Sequence, residues 1–558
     1  MKLSSFKTFT YLMATPALLL SGCAHMEPSV KQPVATAKAV RPLLGARLDP
    51  TLDCSGTGLY QELMDPPALS AQNLQINTQL SARPANKCVN GKNVVLQSYI
   101  DTNAGVDSRA VGPTYSLDVD PNLPNPRLNI LFTNELGDKN RQYDCHSSQD
   151  VGLCSNLHAH GFHVSPKGSM DPSVVQSDYV FIAISPATQP VSYQYDIPNF
   201  HPPGTHWLHS HLHGSTAPQV KNGMAGALIL KGALEKTLAN DYGISGDKDK
   251  IMVLQQMSTD TDNTPLCGSN NGNTITTSIN GQCLPIITVK AGDIQRWRFI
   301  DAGISASINL AVIQPNGSKL DLNEFARDGI TMNGTQVQKN ILLQPGYRSD
   351  VLVQFPTCTT YPCELFLIDD ASQARMSLMG VAEPSNQIAK IIIEENTGPA
   401  MTMPPPQIFT NPYPFICDPA DFKNCSDRLA TQKVWFANVT NPSGGTFKTV
   451  NDGVYPNTVT KQLTLNDSNT WKLWVGDKQT SAANHPFHIH VNPFQLVDQN
   501  GFSYWKDTLL VSGADNKGES NALTVVSRYE NFDGEFVLHC HNLDHEDQGM
   551  MMNVIINP

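Results

Sequence analysis

The stretch Val537–Met552, V-L-H-C-H-N-L-D-H-E-D-Q-G-M-M-M, combines three histidines, one cysteine and three methionines. Imidazole, thiolate and thioether groups are soft or borderline metal ligands, and an electron-transfer copper site uses two His, one Cys and a weak axial Met. The apolar start of the stretch predicts a strand, on which successive side chains point to opposite faces. Cys540 then points away from His539 and His541, so that one tripeptide contacts two metal centres.

Three further histidine clusters lie upstream, beginning at Asn156 (N-L-H-A-H-G), Gly204 (G-T-H-W-L-H-S-H-L-H-G) and Asn484 (N-H-P-F-H-I-H). Each contains two histidines separated by one residue, and on a strand such a pair lies on one face, close enough to bind one metal ion or two neighbouring ions. One pair is also typical of hydrogen-bonded core histidines, but four pairs together indicate metal binding. The four pairs are His158 and His160, His209 and His211, His488 and His490, and His539 and His541.

The two C-terminal clusters contain a second set of ligands outside these pairs. His485, Cys540, His545 and Met550 together form a complete blue-copper set. The chain therefore divides its ligands between two centres.

Length and composition favour several β-rich domains. A chain of 558 residues predicts about three domains, and its short apolar runs broken by Gly, Pro, Asn and Asp are typical of sandwiches of antiparallel strands. The fold class that we predict is all-β. The formal net charge of -12 and the absence of basic runs argue against a nucleic-acid partner.

We place the three domains at residues 51–232, 233–400 and 401–558. The middle domain contains no histidine and is predicted to act as a spacer or as a wall of the substrate site, and the Pro-rich start of the third forms a linker. The strand candidates of the first two domains are Val94–Ile100, Leu128–Asn134, Val180–Ile184, Ala227–Leu230, Ile251–Leu254, Ile286–Val289, Trp297–Ile300, Leu310–Ile313 and Val351–Phe355.

The N-terminus has the pattern of a targeting segment. Two lysines precede an apolar stretch that is too short to span a membrane, which is typical of a signal peptide over residues 1–22. Its end, L-S-G-C, resembles the bacterial lipobox and implies that Cys23 is lipidated; an ordinary signal peptide with an incidental cysteine is the alternative. Residues 23–50 then form a flexible tether. We expect an exported bacterial lipoprotein, located in the periplasm, at the outer membrane or at the cell surface, with this anchor as its only membrane contact.

Ten cysteines remain when Cys23 and Cys540 are set aside. An even number of cysteines in an exported chain predicts disulfides, and Cys540 is left for a metal. The neighbouring pairs are Cys54 and Cys88, Cys145 and Cys154, Cys267 and Cys283, Cys358 and Cys363, and Cys417 and Cys425.

The four clusters resemble the copper-binding signatures of laccase-type multicopper oxidases with three cupredoxin domains, which are β-sandwiches of Greek-key topology. The resemblance covers almost the whole mature chain. It implies four copper ions: a type 1 ion held by His485, Cys540, His545 and Met550, a type 2 ion held by His158 and His488, and two type 3 ions. The type 3 ligands implied are His160, His209 and His541 for one ion and His211, His490 and His539 for the other.

Some positions depart from the family pattern. The first signature commonly has Trp where this chain has Ala159. The second usually has Tyr where this chain has Leu208, and an aromatic or aliphatic residue where it has His206. None of these is a ligand position. His211 and His213 also form a spaced pair, and we follow the family in choosing His209 and His211; His206 and His213 are predicted to lie beside ligands or at the surface.

The resemblance implies that a one-electron donor reduces the type 1 copper and that four electrons reduce O2 to water at the other three ions. Protons must also be delivered, and the family's H-E-D sequence places a proton-relaying carboxylate at Glu546. Asp171, thirteen residues after His158, resembles the acidic residue near the type 2 copper.

Phenols or aromatic amines are the favoured substrates, because the pairs Met376 and Met379, and Met401 and Met403, are too sparse for a Met-rich insert of the kind found in cuprous oxidases. Oxidation of Cu(I), Fe(II) or Mn(II) is the alternative. A copper nitrite reductase is disfavoured because it has two domains and lacks His on both sides of the Cys, and a non-enzymatic copper-binding protein is disfavoured because all expected ligands are present.

We predict that Cys540→Ser removes both the thiolate-to-copper absorption and the activity while the fold is retained, because a hydroxyl does not replace the soft thiolate ligand. Visible absorption, oxygen consumption and circular dichroism of the copper-treated variant measure the three properties. A variant that stays blue would show that the type 1 assignment is wrong.

Overall fold

Short apolar runs pair into two facing sheets in each third of the chain. The computed structural model describes residues 51–558 except 106, 148, 170, 172, 259–264, 271–272 and 275. The predicted signal peptide, Cys23 and the tether lie outside the described residues. Among the residues that are described, no helix has the length and apolarity needed to cross a membrane.

The first sandwich contains ten strands and one helix. Its sheets have the strand orders β1-β4-β10-β9-β6 and β3-β2-β5-β8-β7. The elements are β1 (Ala68–Ser70), β2 (Gln75–Val89), β3 (Lys92–Ile100), β4 (Thr114–Asp118), β5 (Arg127–Asn134), β6 (His158–His160), β7 (Val174–Gln176), β8 (Val191–Asp196), β9 (Gly204–His209), α1 (Thr216–Lys221) and β10 (Ala225–Lys231).

The second sandwich has sheets of order β14-β11-β16-β21-β18-β19 and β15-β23-β22-β17-β20, with β12 and β13 as a separate hairpin. The elements are α2 (Ala233–Tyr242), β11 (Asp249–Gln255), β12 (Ser269–Asn270), β13 (Asn273–Thr274), β14 (Ser278–Ile279), β15 (Ile286–Lys290), β16 (Ile294–Asp301), β17 (Ile308–Ile313), β18 (Leu322–Arg327), β19 (Ile330–Gln338), β20 (Ile341–Leu343), β21 (Arg348–Gln354), β22 (Cys363–Asp369) and β23 (Asn386–Glu394).

The third sandwich has sheets of order β25-β24-β27-β32-β29-β30 and β26-β34-β33-β28-β31. The elements are α3 (Phe422–Arg428), β24 (Ala430–Thr440), β25 (Thr446–Val450), β26 (Lys461–Thr464), β27 (Ser468–Val475), β28 (His485–Ile489), β29 (Phe494–Val497), β30 (Ser503–Lys506), β31 (Thr508–Val511), β32 (Leu523–Arg528), β33 (Gly534–Cys540), α4 (Leu543–Asp547) and β34 (Met551–Asn557). Short 3-10 helices occur at Ser55–Thr57, Gly246–Lys248, Pro406–Ile408, Pro419–Asp421 and Glu519–Asn521.

Each sandwich encloses its own apolar core, which confirms the all-β prediction. The period-2 burial of β5, in which alternate residues are fully buried, shows how a strand fills such a core from one face. Representative core residues are Leu80 and Tyr115 in the first sandwich, Trp297 and Ile391 in the second, and Trp471 and Leu538 in the third. All six large sheets stay within the ranges 51–232, 233–400 and 401–558.

Two details of the strand prediction are wrong. The sheets are mixed rather than antiparallel, since β2 and β5, β11 and β16, and β24 and β27 pair in parallel. Val180–Ile184 is not a strand, because only Ile184 forms an isolated bridge, to Ser155. The apolar side chain of Val180 instead packs against Val537 and Met551 of the third sandwich, so its burial comes from a contact between domains.

The five disulfides join the cysteine pairs that the spacing predicted. Cys54 bonds Cys88, Cys145 bonds Cys154, Cys267 bonds Cys283, Cys358 bonds Cys363, and Cys417 bonds Cys425. Each bridge lies within one sandwich. Cys540 is free and buried.

Candidate functional site

Strand pairing sets the four histidine clusters opposite one another. In the first sandwich β6 pairs with β9 so that His158 faces His209, and in the third β28 pairs with β33 so that His488 faces His539. The second histidine of each pair, His160 excepted, lies just beyond the end of its strand. The register of two antiparallel ladders therefore brings the first histidines of the pairs together.

The eight paired histidines form one buried cluster between the first and third sandwiches. The ring of His158 stacks on that of His490 with centroids 3.9 Å apart, and the ring of His160 stacks on that of His488 at 4.0 Å. Three groups have ligand atoms that all lie within 4.8 Å of one another: His160, His209 and His541; His211, His490 and His539; and His158, His160 and His488. The structure thus brings all eight predicted residues together.

Ring nitrogens from different chain segments face each other at short distances. In the group His211, His490 and His539 the three Nε2 atoms are separated by 3.0, 3.1 and 3.4 Å. Three donors that each lie about 2.0 Å from one ion are separated by about 3.3–3.5 Å. The spacing of these nitrogens therefore fits a shared metal ion.

Backbone carbonyls fix which nitrogen of several rings carries the proton. A carbonyl only accepts, so the Nδ1 atoms of His209, His488 and His539 donate to the carbonyls of Ser210, Asp507 and Cys540 at 2.8, 2.9 and 3.1 Å. The second nitrogen of each ring is then left as a potential ligand. The Nε2 atoms of His209 and His488, and that of His158, have no hydrogen-bond partner among the described residues.

Burial keeps the cluster in the form that binds metals. It lowers the pKa of all eight histidines, because an imidazolium loses its hydration in the interior and neighbouring rings repel a second charge. For His211 the pKa falls to about 4. Neutral imidazoles are the metal-binding form.

A second site lies on the opposite face of β33, inside the third sandwich. The Cys540 Sγ lies 3.6 Å from His485 Nδ1 and 3.7 Å from His545 Nδ1, and all three residues are buried. Met550 is fully buried, and its carbonyl accepts from the backbone N–H of Cys540 at 3.0 Å. The predicted blue-copper set is therefore brought together.

The environment of Cys540 requires a cation if the thiol is to ionise. Burial raises the pKa of this thiol to about 12 and lowers the pKa of His485 to about 3. A thiolate is far more favourable beside a metal ion than alone in an apolar core. Two neutral imidazoles and one ionisable thiol fit copper, which prefers this soft donor set.

Glu546 follows His545 on the short helix α4 and is fully buried. Burial raises the pKa of its carboxyl well above the usual value, and the adjacent Asp547 raises it further. Asp547 accepts hydrogen bonds from the backbone N–H groups of Gly214 and Ala217, at 2.6 and 2.7 Å. These contacts connect helix α4, which carries Glu546, to the loop that follows the second histidine cluster.

Asp171 does not lie at the histidine cluster, contrary to the sequence prediction. Its carboxylate is exposed and accepts hydrogen bonds from the N–H and hydroxyl of Ser173. Asp178 occupies the expected place instead: it is buried, its Oδ2 lies 2.7 Å from His158 Nδ1, and its Oδ1 accepts from the N–H of Ala159. Asp178 lies 20 residues after His158, whereas the resemblance pointed to Asp171, thirteen residues after it.

Sequence reasoning also missed Asp507, whose Oδ1 lies 3.2 Å from His160 Nε2. It sits outside all four motifs, so no histidine spacing pointed to it. His206 is buried beside Phe162 and His201, and His213 lies against Tyr455. Neither belongs to the three histidine groups described above, which agrees with the choice of His209 and His211.

Comparison with known proteins gives matches over both halves of the site. Family models described as multicopper oxidase match residues 151–234 and 430–558. The multicopper oxidase mco of Staphylococcus aureus is 22% identical over 482 residues, covering 83% of this chain and 86% of the relative.

Two solved structures are similar across most of the chain. The McoA multicopper oxidase of Aquifex aeolicus has a TM-score of 0.68 at 18% identity, covering 89% of this chain and 100% of that one. A Campylobacter jejuni multicopper oxidase described as a metallo-oxidase has a TM-score of 0.65 at 20% identity, covering 92% and 99%.

Three β-sandwiches, a buried histidine cluster and an adjacent Cys-His site define an oxidoreductase of the cupredoxin-like class. The chain is thus similar to multicopper oxidases over both halves of the site, in sequence and in fold. The similarity implies copper as the cofactor, and O2 and a reducing compound as the two substrates.

We predict that Asp178→Asn alters the histidine cluster whereas Asp171→Asn does not. The first change weakens the contact that orients His158, and loss of such a contact typically costs about 10–100-fold in metal affinity or activity. Copper content and the rate of O2 consumption, measured on both variants, test this prediction. Equal effects of the two substitutions would contradict the placement of Asp178.

Proposed function

We propose that the protein couples four one-electron oxidations of an organic reductant to the reduction of O2 to water, in the manner of a laccase. The observation that carries this proposal is the position of Cys540 between His539 and His541. The Cys-His site and the histidine cluster are thereby joined by the two peptide units that flank Cys540, the last residue of β33. Electrons accepted at one site have a short covalent route to the other.

The proposal includes four copper ions with the following ligands. His485, Cys540, His545 and Met550 hold the type 1 ion, and His158 and His488 hold the type 2 ion. His160, His209 and His541 hold one type 3 ion, and His211, His490 and His539 hold the other. The groups whose ligand atoms lie within 4.8 Å of one another support the assignments of the histidines and of Cys540. The burial of Met550 in the same core cluster as Cys540 supports the fourth type 1 ligand. When bound, copper supplies one-electron chemistry and delivers the electrons to O2.

The residues around the sites have separate tasks in this mechanism. Glu546 is proposed to hold and release protons, because a buried carboxyl with a raised pKa keeps its proton near neutral pH. The hydrogen bond between Asp178 and His158 orients a type 2 ligand. Full burial of the eight histidines excludes bulk water from the reaction.

Lys448 favours an organic donor over a metal cation. This half-buried lysine lies on β25 opposite Asn438. Burial lowers the pKa of His485 and of His545. The charge of Lys448 adds to the lowering at His485, and at His545 it adds less than the neighbouring His485 does. A positive charge there repels Fe(II) and Cu(I) and attracts phenolates and other anionic donors.

A metallo-oxidase is the second candidate function. The similar Campylobacter jejuni protein is described as a metallo-oxidase, and Met379 is 58% exposed on a segment that packs beside the type 1 ligand His485. This packing is direct, because the N–H of Asn484 donates to the carbonyl of Leu378 at 2.9 Å. A soft thioether near the electron-entry site suits Cu(I).

Steady-state oxidation of a phenol, Fe(II) and Cu(I) by the copper-loaded protein distinguishes the two functions. We expect kcat/KM to be highest for the phenol. A preference for a metal ion by orders of magnitude would overturn the laccase assignment, and failure to consume O2 with every reductant would overturn the enzymatic one.

We predict that Lys448→Glu lowers kcat/KM for an anionic aromatic donor and raises it for Fe(II), each by roughly tenfold at low salt, because the local field changes sign. Lys433→Glu is a matched control, since Lys433 lies on the neighbouring strand β24, where its ammonium is paired with Glu519 at 2.6 Å. Stopped-flow reduction of the type 1 absorption at two salt concentrations measures the effect. Equal changes in both variants would show that Lys448 has no specific effect on the preference for an anionic donor.

We predict that Glu546→Gln slows O2 reduction by about 10²-fold or more, because the amide of Gln, unlike the carboxyl of Glu, does not release and take up protons. Reduction of the type 1 copper by substrate should keep its wild-type rate. Measuring the two half-reactions separately tests the role, and slowing confined to type 1 reduction would contradict it.

We also propose that the protein is an exported lipoprotein anchored through Cys23. Five disulfides support export, since such bonds persist in oxidising compartments. Metabolic labelling with a fatty acid, compared with a Cys23→Ala variant, tests the anchor.

A further inference from the structure

The second domain has no histidine, yet one of its side chains reaches the histidine cluster. Arg348, the first residue of β21, has a fully buried guanidinium. Burying this charge is favourable only if its hydrogen-bonding groups find partners. The partners come from all three sandwiches.

All five N–H donors of Arg348 are used. Two parallel bonds go to the Asp507 carboxylate, from Nη1 to Oδ1 at 3.0 Å and from Nη2 to Oδ2 at 2.5 Å. The remaining donors bond the carbonyls of Gly346 and Asp328, both at 2.8 Å, and that of Thr205 at 3.2 Å. A planar fork with this geometry fixes both the position and the orientation of a carboxylate.

Asp507 in turn contacts two histidines of the cluster. Its Oδ1 lies 3.2 Å from His160 Nε2, and its carbonyl accepts from His488 Nδ1 at 2.9 Å. The Thr508 hydroxyl donates to the same Oδ1 at 2.8 Å. An acceptor at His160 Nε2 leaves His160 Nδ1 facing His541 Nε2, 3.2 Å away.

The surrounding backbone leaves room for this contact. Gly161, directly after His160, has φ +88°, and a Cβ there would lie 2.3 Å from Arg348 Nη2 and 3.1 Å from Asp507 Oδ2. Any larger residue would therefore displace the guanidinium or the carboxylate. The chain keeps a glycine where the first domain meets the Arg348–Asp507 pair.

We propose that Arg348 is a positioning residue for the histidine cluster: by holding Asp507 it fixes His160 with Nδ1 as its metal-binding atom and fixes the ring of His488. The inference rests on the proposed function, because His160 and His488 are assigned there as ligands of the type 3 and type 2 ions. It gives the second domain a task at the cluster beyond that of a spacer.

Two variants test the contact, and a third is the control. Arg348→Lys keeps the charge but loses the two parallel bonds, and Asp507→Asn keeps the shape but loses the charge. Arg298 of the same domain is equally buried and also forms two parallel bonds, to Asp249 at 2.7 and 2.8 Å. It also donates to the Thr205 hydroxyl at 3.3 Å and is bonded to no histidine of the cluster. Arg298→Lys therefore reports the cost of disrupting a buried Arg–Asp pair that does not hold Asp507.

The wild-type protein is first loaded with copper and assayed for O2 consumption, so that failure of the proposed function is recognised separately. The variants are then compared by type 1 absorption, type 2 electron paramagnetic resonance and the rate at which O2 reoxidises the reduced protein. We expect Arg348→Lys to keep the type 1 absorption, to shift the type 2 resonance, and to slow reoxidation by about 10–100-fold.

Asp507→Asn should shift the type 2 resonance in the same way. If Arg348→Lys is not recovered as folded protein, Asp507→Asn tests the contact in its place. Arg298→Lys should lower thermal stability while leaving resonance and reoxidation at wild-type values. Wild-type resonance and reoxidation in Asp507→Asn or Arg348→Lys would overturn the proposal. So would the same resonance shift in Arg298→Lys.

Discussion

The alternation of side chains along β33 is the constraint on which both sites depend. Cys540 points into the core of the third sandwich, whereas His539 and His541 point to the cluster shared with the first sandwich. Because the two faces of a strand are separated by one backbone thickness, the sites are necessarily close. A shift of the register by one residue would exchange the faces and destroy both sites. The pairing of β33 with β28 and β34 fixes that register.

Burial prepares the histidines for metal binding only because several rings also have a fixed hydrogen-bond partner. A buried imidazole is neutral, but a neutral ring has two tautomers, and the wrong tautomer presents an N–H to the metal. Carbonyls of Ser210, Asp507 and Cys540 select the tautomer of three rings. These acceptors belong to the rigid backbone, so the ligand geometry is set before any metal arrives.

The histidines and the cysteine that the structure brings together were all named from the sequence, because their spacing reflects strand geometry. The H-x-H pairs, His485, Cys540 and Met550 lie on or next to strands, and His545 lies on the short helix α4 that follows β33. Neighbours in sequence therefore remain neighbours in space. Asp178 and Asp507 could not be found in this way, since their partners His158 and His160 lie 20 and 347 residues away. Val180–Ile184 was misassigned for a related reason: apolar residues that are buried between domains resemble those of a strand.

The five disulfides each close a loop of at most 34 residues inside one sandwich. No covalent bond other than the polypeptide backbone therefore joins the described domains, although histidines of the first and third must meet within a few ångströms. Noncovalent contacts, such as those of Arg348 with Thr205 and Asp507, therefore hold the sandwiches together. A copper ion bound by histidines of both the first and the third sandwich would add to this cohesion by mass action, so that copper loading would raise the stability of the whole chain and not only supply its chemistry.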